Sequence, residues 1–327
     1  MKSNKYTRIY WILTLITLII TCGQPRETEP LYKIIAQVSN PGYPQSLTIN
    51  ANYAYVASGQ AGLVVYDVSN CSVPVFRAQW LDTLYPVFGV TIRNNYAYLA
   101  SGKTIFNILN ISNLDSIKLV NEINFAWIAA YGYDVFTTDT NYLYIAAREK
   151  FLIADVSNPV YPEVLSPHAL FPSNVRSVVV KDSFAYLALE QLGVYVMNVK
   201  TNPRVVVGGC DTPSNARHLF VLDTLCYVAD GRGGLIIINI KNPRNILPVA
   251  TLKLSGYAQK VFVKDTLAYL ACGDAGLAIV NVKIPMAPQL VEFVPTSYAK
   301  GVWVDQQDNI YVADRDLGLV IIKSNQR

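Results

Sequence analysis

Few side chains in this sequence have the type and spacing to do chemistry. There are two histidines in 327 residues, His168 and His218. Neither stands in a Ser–His–Asp order with supporting context, and no nucleophile elbow, P-loop or dinucleotide fingerprint is present. Gly231-Arg232-Gly233-Gly234 is glycine-rich, but no helix pattern follows it, so it reads as a loop between strands rather than a phosphate cradle. Besides Cys22 there are Cys71, Cys210, Cys226 and Cys272, with no close pair of the kind a zinc site uses. Cys226 and Cys272 fall in or just after apolar segments and read as buried thiols, and a Cys210–Cys226 disulfide is conceivable. Asn70-Cys71-Ser72 and Asn110-Ile111-Ser112 fit a glycosylation sequon, but both sit in turn patterns and are read as turns. No catalytic residue, metal or cofactor is expected. The one grouping with chemical promise is cationic: Arg176, Arg217, Lys260 and Lys300, one in each of four successive repeats, with Tyr133, Asp134 and His218 at matching positions. Brought together, such residues would hold an anionic group.

The repeats that would bring them together are marked by a tripeptide of tyrosine, an aliphatic residue and alanine. It stands at Tyr55-Val56-Ala57, Tyr98-Leu99-Ala100, Tyr144-Ile145-Ala146, Tyr186-Leu187-Ala188, Tyr227-Val228-Ala229, Tyr269-Leu270-Ala271 and Tyr311-Val312-Ala313. Successive tyrosines are 43, 46, 42, 41, 42 and 42 residues apart. A period held that long signals a repeat architecture. Apolar residues make up 52% and charged residues 15%, which excludes disorder, and 22 tyrosines with frequent Val, Ile and Leu favour strands. The net charge of +4 includes no run of basic residues, so nucleic acid is not an expected partner.

The unit around Tyr186 shows four short strands. Ser177–Val180 is followed by a turn, then Phe184–Ala188, a loop, Gly193–Asn198, a proline-containing turn and Arg204–Gly208. Four strands in about 42 residues describe one blade of a β-propeller, so the expected fold is all-β, a seven-bladed ring of four-stranded blades over residues 31–327. The third strand recurs elsewhere as Gly62–Asp67, Thr104–Asn110, Lys150–Asp155, Gly234–Ile240, Gly276–Val282 and Gly318–Ile322, with blades two and seven fitting least well. A glycine at its start permits a tight entry that a β-carbon would obstruct. Tyrosine and alanine, two residues apart on one strand, share a face. A large ring beside a small residue suits packing between blades, with the phenol bonded to a backbone group of the next blade.

Gly62-Leu63-Val64-Val65-Tyr66-Asp67-Val68-Ser69-Asn70 and Phe151-Leu152-Ile153-Ala154-Asp155-Val156-Ser157-Asn158-Pro159 resemble the LVIVD repeat of bacterial secreted and surface proteins. The resemblance implies a propeller and carries no catalytic residues with it.

The two ends have distinct expectations. Residues 1–22 read as an export signal, with Lys2, Lys5 and Arg8 before an apolar run, Ile9–Ile20, too short to span a bilayer. Ile19-Ile20-Thr21-Cys22-Gly23 resembles the bacterial lipobox, which implies lipid attachment at Cys22 and anchoring in the cell envelope. Residues 23–30 are polar and read as a flexible tether. After Gly318–Ile322 no fourth strand remains for blade seven, and Leu31–Val38 has no unit of its own, so it is expected to close the ring. A competing reading makes Val38-Ser39-Asn40-Pro41 a third-strand turn.

In a propeller the first strands line the axis. Their starts put Tyr133, Asp134, Arg176, Arg217, His218, Lys260 and Lys300 at one channel mouth. Glu190, Asp230, Asp274, Asp314 and Asp316 would form an acidic rim, with Phe125, Trp127 and Tyr131 to one side. The expected function is a non-catalytic, lipid-anchored envelope protein that binds another protein or an envelope polymer. An exported hydrolase or lyase at the channel mouth, and a structural module of a surface assembly, are the alternatives.

Overall fold

The structure is a computed structural model that describes residues 29–82, 84–102, 105–124, 131–138, 141–201 and 204–325. Contacts divide the chain into residues 1–31 and a compact unit from Tyr32 to Arg327. The expected leader with Cys22, and all of the tether but its last residues, lie outside the described residues.

The compact unit holds seven separate sheets of four antiparallel strands. The blade around Tyr186 is typical: Ser177–Lys181, Phe184–Ala188, Val194–Asn198 and Val205–Cys210 pair in chain order from the axis outward. Its second strand is buried along nearly its whole length, while the outermost alternates towards solvent. Asp182, in the turn between the first two strands, takes the left-handed φ of 56° that a short polar side chain tolerates.

The glycine before the third strand is required twice over. Gly62, Gly193, Gly234, Gly276 and Gly318 have φ between +71° and +89°. A Cβ on Gly193 would also stand 2.4 Å from the carbonyl oxygen of Cys210 in the neighbouring strand. Blade three has no such glycine, and its loop turns instead through Arg148 at φ 39°.

Blade seven is assembled from both ends of the unit. Tyr32–Val38 pairs antiparallel with Gly318–Ser324, from Tyr32 opposite Ser324 to Val38 opposite Leu319, with one register shift at Ile35. Ser39 and Asn40 therefore follow a fourth strand, and the reading of Val38–Pro41 as a third-strand turn is set aside. Closure leaves every blade flanked on both sides.

Seven hydrophobic clusters fill the seven seams, one between each pair of neighbouring blades. Each Tyr-x-Ala pair opens its own cluster: Tyr186 and Ala188 pack against Leu219, Cys226 and Val228 of the next blade. The seven tyrosines are 1–6% exposed. Burial pushes the Tyr186 phenol up to about 12. The expected backbone acceptor in the next blade is not seen among the described residues for Tyr55, Tyr98, Tyr186, Tyr227 or Tyr269, and the Tyr311 hydroxyl instead donates to Asp305 Oδ2 at 2.9 Å and meets Cys71 Sγ of blade one at 3.1 Å.

Candidate functional site

Each alanine of the tripeptide pairs with one residue of the first strand. These partners are Ser46, Gly89, Asp134, Ser177, His218, Lys260 and Gly301. They form a belt around the axis. The residue before each belt position belongs to a second layer, the mouth: Gln45, Phe88, Tyr133, Arg176, Arg217, Gln259 and Lys300.

Consecutive residues of a regular strand point to opposite faces, so both layers facing the axis needs a local cause. The cause is a bulge. In blades two, three and seven the register skips Phe88, Tyr133 and Lys300, each an extra residue opposite one partner. In blades four and five Arg176 and Arg217 donate their backbone N–H to the carbonyls of Ala188 and Ala229, 2.8 Å away, although Ser177 and His218 are the residues paired there.

Tyr133, Asp134, Arg176, Arg217, His218, Lys260 and Lys300 all line one recess of about 250 Å³ at the mouth. Arg176 lies over the Tyr133 ring, 3.8 Å from its centre, and Arg217 over Tyr257 at 5.8 Å. Lys300 lies over Tyr298 at 5.4 Å. Both guanidiniums share one carboxylate: Glu190 Oε1 is 3.5 Å from Arg176 Nε and 3.3 Å from Arg217 Nη1. Glu190 Oε2 accepts from Asn174 Nδ2 at 2.9 Å. Burial lowers the Lys300 pKa, and Arg217, Arg315 and Arg176 lower it further. Burial and then Arg217 do the same to Arg176. These are the signs of cations crowded together with too little negative charge.

The backbone shows where that single carboxylate comes from. Glu190 has φ 46°, at the loop position held in blades one, five and six by Gly59, Gly231 and Gly273, with φ 57°, 54° and 59°. The strained turn is pinned by two backbone hydrogen bonds to Ala216 of the next blade, at 3.0 and 3.2 Å. A non-glycine residue held there costs about 1–2 kcal/mol, and such strain collects at functional positions.

In the belt, Asp134 Oδ2 accepts from Ser177 Oγ at 2.8 Å, and Lys260 Nζ donates to Ser46 Oγ at 2.5 Å. Burial raises the Asp134 pKa against the pull of Lys260. Burial lowers that of Lys260, while Asp134 pulls it up. His218 Nδ1 accepts from the Val261 N–H at 3.5 Å, and burial, then Lys260, keeps the imidazole neutral well below its ordinary pKa.

The expected acidic rim is smaller than its sequence suggests. Asp230 and Asp314 are fully buried and brace turns: Asp230 accepts from Thr212 Oγ1 and the Ser214 N–H, and Asp314 from the Tyr298 N–H. Asp316 is paired with Arg315 at 2.8 Å. Asp274 lines a groove with Arg217, Tyr257 and Tyr298, and among the five Glu190 is the one paired with both mouth arginines. Phe125 and Trp127 lie outside the described residues, while Tyr131 is 46% exposed. Cys210 and Cys226 pack in one cluster as free thiols, as Cys71 and Cys272 are also free, so no bridge joins the conceivable pair. Among the described residues no group of three or more His, Cys, Asp or Glu could hold a metal ion. The side chain of His168 lies outside the described residues.

Sequence reasoning missed Tyr257 and Tyr298, the rings beneath the cations. Their shared place three or two residues before Lys260 and Lys300 was the available signal. It also missed a second axial layer, Phe136, Val179, Phe220, Phe262 and Trp303, two residues beyond the belt.

The LVIVD repeat model matches residues 41–82, 87–130, 139–166, 213–247, 255–296 and 297–323. The chain belongs to the LVIVD repeat family. Blade four, whose third strand reads Gly193-Val194-Tyr195-Val196-Met197, falls between the matches although its four strands are regular. No curated protein matches the chain. Among solved structures, this LVIVD chain is similar to the computationally designed Ika8 protein, at 8% identity over 85% of this chain and 82% of that one, with a TM-score of 0.65. It is also similar to a chain in the crystal structure of the Mitotic Checkpoint Complex, at 11% identity over 89% and 92%, with a TM-score of 0.71. At these identities the likeness is one of fold alone.

Proposed function

We propose that the propeller is a non-catalytic binding scaffold of the bacterial cell envelope. It is anchored through a lipid on Cys22 and takes an anionic group of a partner protein or envelope polymer at its axial mouth. The observation that carries the reading is a charge count at one recess: Arg176, Arg217, Lys260 and Lys300 line it with one carboxylate, Asp134, and a second, Glu190, pairs with the two arginines. Half-buried cations on aromatic rings keep their charge at reduced solvation, so an incoming anion gains more than it would at an open surface. Guanidiniums add bidentate geometry. The basic start and apolar run before Cys22 support export and anchoring.

The test is a pull-down from the protein's own envelope fraction with the wild-type chain and the double variant Arg176→Ala/Arg217→Ala. We expect the variant to melt close to the wild type and to lose the captured partner. Equal capture by both would remove the mouth from consideration.

A further inference from the structure

Beyond the belt the axis opens into a chamber of about 590 Å³, within the range of small-molecule sites. Its walls follow from strand alternation, since the side chain two residues past each belt position returns to the axis. In blades five, six and seven these residues are Phe220, Phe262 and Trp303. Their rings meet in sequence, with centroids 4.9 and 5.0 Å apart, and make a continuous aromatic wall. Each is only partly buried and touches a seam core at its margin. Seam packing does not require aromatics here, because Thr48 and Thr91 hold the same register position in blades one and two.

The belt gives this chamber a polar roof with hydrogen-bonding capacity left over. The Asp134 carboxylate is already engaged by the Ser177 hydroxyl and the N–H groups of Val135 and Val178. Lys260 carries three donors, of which Ser46 takes one. His218 accepts at Nδ1, which places its proton on Nε2 as a further donor. The spare groups are therefore donors and suit an acceptor. The charged groups lining the chamber point the same way: Lys181 and Lys260 against Asp134, two cations against one carboxylate.

We propose that the chamber binds a small molecule with a flat apolar body and one carboxylate head. The body lies on Phe220, Phe262 and Trp303, and the head is held by Lys260 and His218. This site shares Lys260 and His218 with the lining of the mouth recess but uses neither Arg176, Arg217 nor Lys300, so its failure and that of the mouth reading are distinguishable.

The probes are 2-naphthoate and its uncharged analogue 2-naphthamide, titrated calorimetrically into the full chain. We expect 2-naphthoate to bind the wild type and to be weakened about tenfold or more by Lys260→Met, the loss of one charge-assisted hydrogen bond. The same change should alter 2-naphthamide binding much less. Thr91→Trp, which fills the chamber and leaves the roof intact, should abolish binding of both, and it decides the matter if Lys260→Met does not fold. Arg176→Ala/Arg217→Ala should retain most of the affinity, which separates the chamber from the mouth. No binding of 2-naphthoate by the wild type, binding unchanged in Thr91→Trp, or displacement by equimolar acetate would each overturn the proposal.

Discussion

The seams and the axis are built from paired residues yet obey opposite rules. On the seam side every blade presents the same tyrosine and alanine, and all seven tyrosines are nearly inaccessible. On the axis side the residues paired with those alanines are serine, glycine, aspartate, serine, histidine, lysine and glycine. A seam residue is packed by two blades at once, so its shape is dictated and a change opens a cavity. Most axial residues have space in front of them and can vary without disturbing the ring, but at Gly89 and Gly301 a Cβ would stand 3.2 Å from the backbone of the next blade. Stability and specificity are thus divided between neighbouring strands.

The largest effect should come from opening the ring. Deleting residues 31–38 strips Gly318–Ser324 of its outer partner and removes Ile35, Ala36 and Val38 from the seam between blades seven and one. Calorimetry should show a sharply lowered melting temperature or no cooperative transition. A truncated chain that melted with the parent would show that closure does not hold the ring. Next in size, Tyr186→Ala should cost ~3–5 kcal/mol in urea unfolding, as for other large buried aromatics. A cost below about 1 kcal/mol would mean that the seam relaxes around the change and would blur its contrast with the axis.

The smallest effect concerns the belt. His218 is held neutral, its pKa well below the ordinary 6.5. As pH falls below about 6.5 the unfolded chain gains a proton that the folded chain refuses, so stability falls with pH. Asp134 works in the opposite sense: its raised pKa lets the folded chain keep a proton that the unfolded chain releases above about 3.9, which offsets part of the loss at the acid end. His218→Gln should flatten the dependence of melting temperature on pH between about 7 and 5. An unchanged slope would place the acid sensitivity elsewhere.

Much of the fold was legible because it is written in periods. The spacing of the tyrosines gives the blade number, and the placement of Gly62, Gly193, Gly234, Gly276 and Gly318 marks five of the seven third strands. The missing fourth strand of blade seven points to Tyr32–Val38. The site was legible in part. Residues at equivalent strand starts were bound to converge on the axis, and Arg176, Arg217 and Lys300 do. Asp230 and Asp314 misled, since an aspartate in a loop reads the same whether it faces solvent or accepts hydrogen bonds from a segment 16 to 18 residues earlier. Phe220, Phe262 and Trp303 read as ordinary strand residues, and only the bulges before the belt decide which alternate residues turn inward.

By itself the sequence determined the ring. Seven near-identical units can bury their hydrophobic faces only against one another, and the one strand left over must complete the last of them. The tertiary structure alone decided which charges meet. Glu190 reaches both Arg176 and Arg217 because the start of blade five pins its strained turn, and Lys260 senses Asp134 across three blades. Such contacts join residues 14 to 126 positions apart at distances set by the closed ring, and no local pattern in the chain encodes them.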